Sequence, residues 1–457
     1  MRLSAATAPR LPAHIARPAY DRDAQRCGIV HFGIGAFHRA HQAVYTDHAM
    51  SAGDRDWAIT GISLRSPSVA AQMNPQDGLY TVTERSGAGQ HMRLIGAVKQ
   101  VIVAQQAPDA VIAALSSPAT HIVSFTITEK GYCRRADGSL DAGLVAGSAY
   151  EYLTRAMRER MAEKLPGLTL LCCDNLADNG AQLSRLMAEY LDRFAPEVCS
   201  WFENECRCPS TMVDRIVPAT TDTDRRAIEA ELGLRDDAAV VCEPFTHWVI
   251  EDGFAGPRPR WENVGVKFTS DVRAFETAKL RMLNGAHSAL AYLGLAKGHE
   301  FVHQAVADPE IRALAEQLMR QEAAPTIKAA PGQDLDGYAA ALLTRFSNTA
   351  IDHRLAQIAM DGSQKIPQRW LETLAYHQRL GSHCPAILAA LSAWMNYVRG
   401  DRFAVSDPMA GQLTALWLTH GREQIADAIF GENGVFNGFW RASPGDLATL
   451  RNDLISN

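Results

Sequence analysis

Four polar residues recur at helical spacing in an otherwise apolar stretch: Glu276, Lys279, Asn284 and His287, within residues 275–295. At about 100° per residue, with Lys279 at 0°, Glu276 falls near ~60°, His287 near ~80° and Asn284 near ~140°. They share one arc of a helix whose other positions are largely apolar. A solvated face would read the same way, but Leu290, Tyr292, Leu293 and Leu295 follow directly and suggest burial. Buried Lys, Asn and His together need partners or a purpose. One purpose is taking hydride from a carbinol, which builds charge on oxygen as its proton leaves. Amide donors and a cation stabilise that charge. A lysine serves as base once burial and cationic neighbours bring its pKa toward about 7–8.

A second group is the run Gly33-Ile34-Gly35-Ala36-Phe37-His38-Arg39. Two glycines spaced G-x-G after a buried strand and before a helix fit the first turn of a dinucleotide-binding unit. The first makes the turn, and the second lets a pyrophosphate approach the backbone. The third fingerprint position is His38 rather than glycine, and a tight loop alone would also explain the pair. The next strand runs into Ser63-Leu64-Arg65-Ser66 with no acid for a ribose 2′-hydroxyl, and Arg65 suits a 2′-phosphate, so NAD and NADP both stay open. Asp174-Asn175 closes a third run, where α/β sheets bind ligands. Capping a turn explains Asp174 well and Asn175 less well, since Asn179-Gly180 already supplies turn chemistry.

These groups need a scaffold. β-branched runs at 28–32, 57–62, 121–127 and 168–172 alternate with helical stretches, which predicts a mostly parallel sheet covered on both faces. From about 271 the texture becomes Ala/Leu-rich and helical, at 275–295, 311–322, 371–380 and 385–398. The fold class is therefore α/β, with a Rossmann-like dinucleotide-binding domain over 1–270 and a mainly α-helical substrate domain over 271–457. The chain of 457 residues is 47% hydrophobic and 21% charged with a net charge of −6, so it is neither disordered nor basic enough to bind nucleic acid. It lacks the roughly 18-residue apolar run of a membrane span. The nine cysteines are irregularly spaced, and Cys206 and Cys208 lack a second pair to make a zinc site. The first twenty residues hold three arginines, three prolines and no acid, which reads as a loose arm in a cytoplasmic protein rather than a leader.

The motifs together resemble a family. His31-Phe32-Gly33-Ile34-Gly35-Ala36-Phe37-His38-Arg39-Ala40-His41, Cys173-Asp174-Asn175 and Lys279-x4-Asn284-x2-His287 are similar to the long-chain, metal-independent polyol dehydrogenases, the mannitol dehydrogenase family. Thr128 through Cys133, Ser210 through Pro218, Cys242-Glu243-Pro244-Phe245, Trp248 through Asp252 and Gln357 through Lys365 resemble its fructuronate reductase (D-mannonate oxidoreductase) branch. The resemblance implies roles: Lys279 as general base, Asn175 and Asn284 as the oxyanion site, His287 bonded to substrate, and Glu276 passing the proton to water. Asp214 and Lys365 would line the substrate pocket. It also implies NAD as cofactor and a sugar acid or polyol as substrate. Mannitol-specific relatives carry arginine where this chain has Gln357, which argues against a mannitol-type pocket. A carboxylate needs a charge-assisted donor. Lys365 is the first choice, with Arg354 and His353 joining if that stretch folds back, and surface positions as their plainer reading. A D-mannitol or D-arabinitol dehydrogenase is the alternative. A non-catalytic dinucleotide sensor would not need the Lys279, Asn284 and His287 set, and a zinc alcohol dehydrogenase would need ligands the chain lacks.

Overall fold

The computed structural model describes residues 1–135 and 137–456. The chain divides into two compact units, Met1–Val272 and Arg273–Asn457.

The first unit is built on a five-stranded, wholly parallel sheet. Its spatial order is Val98–Val103, Ala58–Ser63, Cys27–Phe32, Ile122–Phe125, Thr169–Cys172. The first strand in sequence is thus central. The chain moves to one side of it and then returns to the other, and that reversal puts a crevice at the carboxyl end of Cys27–Phe32. The strands from Ala58–Ser63 across to Thr169–Cys172 are buried along nearly their whole length, as strands covered on both faces are. Val30, Phe32, Val123, Phe125 and Leu170 pack on helices Pro108–Ser116, Ala149–Ala162 and Asn179–Phe194. Ile29, Ile59, Ile122 and Leu171 face helix Gln42–Ser51 and the aromatic Trp248 and Trp261.

Two small sheets were not foreseen as separate layers. The hairpin Tyr80–Ser86 with Gly89–Ile95 takes Val240–Cys242 as a third strand, and His247–Glu251 lies between Thr211–Asp214 and Lys267–Thr269. The second brings the distant motifs 210–218 and 248–252 together, with His247 opposite Asp214 and Ile250 opposite Thr211. The expected loose arm is also corrected. Leu3, Leu11 and Ile15 are buried against Leu79, Met92, Leu94 and Ile228, because three apolar side chains at the start of the chain find an uncovered face of the hairpin.

The second unit is helical throughout its named elements. At its centre Gly285–Ala296 is buried on nearly all sides, as expected of a helix apolar all round. It packs on Val302–Ala307, Leu355–Ile358 and Pro385–Val398. Three helical runs are interrupted by π turns, at Lys279–Asn284, Leu318–Ala323 and Pro367–Leu371. The rod expected as one α-helix over 275–295 is therefore α over Arg273–Ala278, π over Lys279–Asn284 and α again over Gly285–Ala296.

Candidate active site

In the first unit the glycine loop leaves the central strand with Gly33 at φ +91°, a left-handed conformation that disfavours any side chain. A Cβ there would stand 2.1 Å from the Thr126 carbonyl oxygen. The Gly33 amide donates to the Ile62 carbonyl at 2.9 Å, and the Thr126 hydroxyl donates to the Gly33 carbonyl at 2.7 Å, so three strand ends are tied at one point. Gly35 differs: it is exposed, and a Cβ on it would meet only the Gly33 carbonyl, at 3.8 Å. That open, side-chain-free backbone is the cradle a dinucleotide pyrophosphate requires. Ala36 and Phe37 are partly exposed beside it.

His38 and Arg39, expected in the same loop, turn inward instead, because the short helix Ala36–Ala40 carries them to its buried face. The His38 ring stacks on His31 with centroids 3.4 Å apart. His31 is held by the Ser124 and Thr126 hydroxyls at 2.7 and 2.8 Å. Burial keeps both imidazoles neutral, His31 with its pKa down to about 3. Arg39 donates to the Ala238 carbonyl and lies over Tyr80. Arg65 is exposed past the end of the second strand.

The two glycines make contrasting predictions. Gly33→Ala should cost on the order of 3 kcal/mol from the positive φ and the collision, lowering Tm by roughly 6–12 °C. Gly35→Ala should melt within about 2 °C of wild type but weaken dinucleotide binding, read by quenching of tryptophan fluorescence. Equal melting of the two variants would remove the distinction.

At the end of Thr169–Cys172, Asp174 is occupied structurally. It accepts from the amides of Ile127 (2.9 Å) and Thr128 (3.0 Å) and from the Tyr132 hydroxyl (2.7 Å), while burial lifts its pKa above the usual carboxylate range. Asn175, next to it, is exposed. Asp214 is buried at the end of its strand, and its neighbour Arg215 fixes that position. The Arg215 guanidinium is buried and donates to the carbonyls of Ala40 (2.6 Å) and Glu243 (2.8 Å) and to Glu84 (2.5 Å).

In the second unit the π turn alters the expected arc. A π turn relates i to i+5, so Lys279 and Asn284 stand nearly one above the other instead of roughly 140° apart. Two backbone carbonyls at its end find distant donors: Asn284 accepts from Arg369 Nη1 at 3.2 Å and Gly285 from Trp370 Nε1 at 3.2 Å. Glu276, Lys279 and Asn284 are half-buried, whereas His287 is buried. The His287 ring lies 4.6 Å from that of Phe346 and 5.2 Å from that of His353. Its Nε2 is buried without a hydrogen-bond partner. Burial, with His353, Arg345 and Arg369 nearby, holds its pKa far below the usual histidine value, so the ring is neutral.

Lys365 is placed by its motif. Gly362 allows close packing, since a Cβ there would meet the Tyr292 hydroxyl at 2.4 Å, and Ser363 is pinned to Asp407 by amide and hydroxyl at 2.7 and 2.5 Å. Lys365 Nζ donates to the Met360 carbonyl at 2.5 Å, and burial followed by the charge of Arg369 lowers its pKa. The structure thus brings His353 to His287 but not Arg354. Arg354 is exposed, paired with Glu300 and laid over Phe301, because that acid on the neighbouring loop captures it. Arg369 was missed. Its signal was a second cation four residues after Lys365, flanked by Ile366, Trp370 and Leu371. Among the described residues no group of three or more His, Cys, Asp or Glu is arranged to hold a metal ion.

Comparison with known proteins agrees with both units. The mannitol dehydrogenase Rossmann domain matches residues 27–263 and the mannitol dehydrogenase C-terminal domain matches 271–442. The chain is 38% identical to D-mannonate oxidoreductase of Escherichia coli over 92% of its length and 91% of the relative's. It is 38% identical to mannitol 2-dehydrogenase of Aspergillus fumigatus, covering 87% and 84% of the two chains. A solved structure of Pseudomonas fluorescens mannitol 2-dehydrogenase, a ternary complex with NAD and D-mannitol, superposes with a TM-score of 0.83 at 34% identity, covering 100% of this chain and 96% of the other. A substrate-free D-sorbitol dehydrogenase gives 0.90 at 31% identity, covering 100% and 97%. With a Rossmann-type glycine loop in one unit and the lysine, asparagine and histidine set in the other, the chain belongs to the mannitol dehydrogenase family.

Proposed function

We propose that this chain interconverts D-mannonate and D-fructuronate by base-assisted hydride transfer with NAD(H), in the cytoplasm. The observation that carries the reading is the rod Arg273–Ala296, whose π turn stacks Lys279 over Asn284 and is followed by a neutral His287 with an unpartnered Nε2. A dinucleotide held by its pyrophosphate on the Gly33–Gly35 backbone would supply the nicotinamide that accepts or donates the hydride. Lys279 takes the hydroxyl proton, and Glu276, three residues earlier on the rod, passes it toward water. Asn284 and Asn175 donate amide hydrogens to the oxygen as charge builds there; one such donor is worth about 10²–10³ in rate. His287 bonds a substrate hydroxyl, and Asp214 and Lys365 line the sugar chain, with His353 beside His287.

Support for a sugar acid comes from the similarity to D-mannonate oxidoreductase and from Gln357, which the family resemblance sets apart from a mannitol-type pocket. D-mannitol or D-arabinitol is the second reading, favoured by equal identity to a mannitol 2-dehydrogenase. NAD is supported by the complex of the Pseudomonas enzyme, while the exposed Arg65 keeps NADP as the competitor. The test is a panel of D-mannonate, D-mannitol and D-arabinitol with each oxidised cofactor, followed by nicotinamide absorbance. D-mannonate with NAD should give the highest kcat/KM. A preference of about tenfold for NADP would reverse the cofactor, and a polyol in first place would promote the second reading.

A further inference from the structure

Residues 362–379 form one helical run, α over Gly362–Ile366, π over Pro367–Leu371 and α again over Glu372–Arg379. Lys365 and Arg369 stand four residues apart in it, a spacing at which like charges oppose each other. Arg369 commits only one nitrogen to the protein: Nη1 donates to the Ser288 hydroxyl at 2.7 Å and to the Asn284 carbonyl at 3.2 Å. Among the described residues its guanidinium pairs with no carboxylate, and Nε and Nη2 have no protein partner. The group is nonetheless crowded by protein. Burial brings its pKa down to about 10, countered only by the Tyr292 phenol, while part of its surface remains open to solvent.

Arginines enclosed in this way are normally paired with an anion, because an uncompensated buried charge is costly. The planar fork with one edge uncommitted matches a carboxylate through two parallel hydrogen bonds. The location is equally specific. Arg369 is bonded to the rod at Asn284 and Ser288, on either side of His287, whose imidazole feels its charge. We infer that Arg369 anchors the carboxylate of a sugar-acid substrate through its Nε–Nη2 edge, with Lys365 as the second cation. The inference rests on the sugar-acid reading above and adds the residue that enforces it. D-mannitol, which has no charge, would leave the guanidinium uncompensated.

The experiment compares wild type, Arg369→Met and Arg369→Lys on D-mannonate and D-mannitol at saturating NAD, with Tm recorded for each. Arg369→Met should raise KM for D-mannonate about a hundredfold and collapse the mannonate-to-mannitol ratio of kcat/KM by a similar factor. Arg369→Lys keeps the charge but loses the fork, and its KM for D-mannonate should rise about tenfold. If Arg369→Met fails to melt cooperatively, the lysine variant decides alone, and an unchanged KM there overturns the inference. A wild type without preference for the acid sinks the sugar-acid reading and this inference with it. A wild type that prefers the acid, with variants losing kcat equally on both substrates at constant KM, overturns the Arg369 assignment only. Arg369 would then be a positioning residue for Asn284.

Discussion

Lys279→Ala should melt like the wild type and turn over at least about 10³-fold more slowly. The side chain is half-buried at the head of the π turn, and the apolar packing beneath it comes from Ala278, Met282 and Leu283, so its removal opens no core cavity. As the proposed base it would matter to catalysis instead. The carbinol proton must leave as hydride departs, and water is too weak a base to replace an amine held in place. General base catalysis accounts for about 10²–10⁴ of rate, and loss of the cation beside the developing oxyanion adds to that. An added small primary amine should restore part of the activity. Near wild-type turnover at neutral pH would mean that another group is the base.

The second large effect concerns substrate choice. D-mannonate should be oxidised with a kcat/KM at least about a hundredfold above that of D-mannitol, because the proposed pair of half-buried cations would reject the analogue that leaves them unpaired. Lys365→Met should remove much of that margin by raising KM for D-mannonate more than for D-mannitol. The lysine is half-buried, tethered to the Met360 carbonyl, and already lowered in pKa by burial and by Arg369. Steady-state kinetics on the two substrates measure both quantities, and comparable efficiency on the two in the wild type contradicts the expectation.

Legibility in the sequence followed the range of the forces involved. The strands and the Gly33–Gly35 turn were readable because short β-branched runs and backbone conformation are local. The Lys279–Asn284 segment was legible as helical and polar but not as a π turn. Every residue in it suits an α-helix, and the donors that satisfy its last carbonyls come from Arg369 and Trp370, some 85 residues later. The same distance problem hid the true surroundings of Arg354, whose partner Glu300 lies 54 residues earlier. It also hid the inward turn of His38, which only the stack on His31 reveals. Arg369 went unremarked because cations usually lie at the surface, and burial of a cation leaves no mark in composition.

The π turn at Lys279–Asn284 also makes this part of the chain sensitive to counting rather than to identity. The rod carries its polar and its buried faces in register only because the insert absorbs extra chain between them. Excising the one extra residue would return the turn to α geometry while leaving the helices on either side in place. His287 would stay beside His353 and Phe346, and Ala286, Ala289 and Leu290 would stay in the core. A one-residue loss here would thus spare the core and fall on the way Lys279 stands over Asn284, to be read in turnover before it is read in Tm.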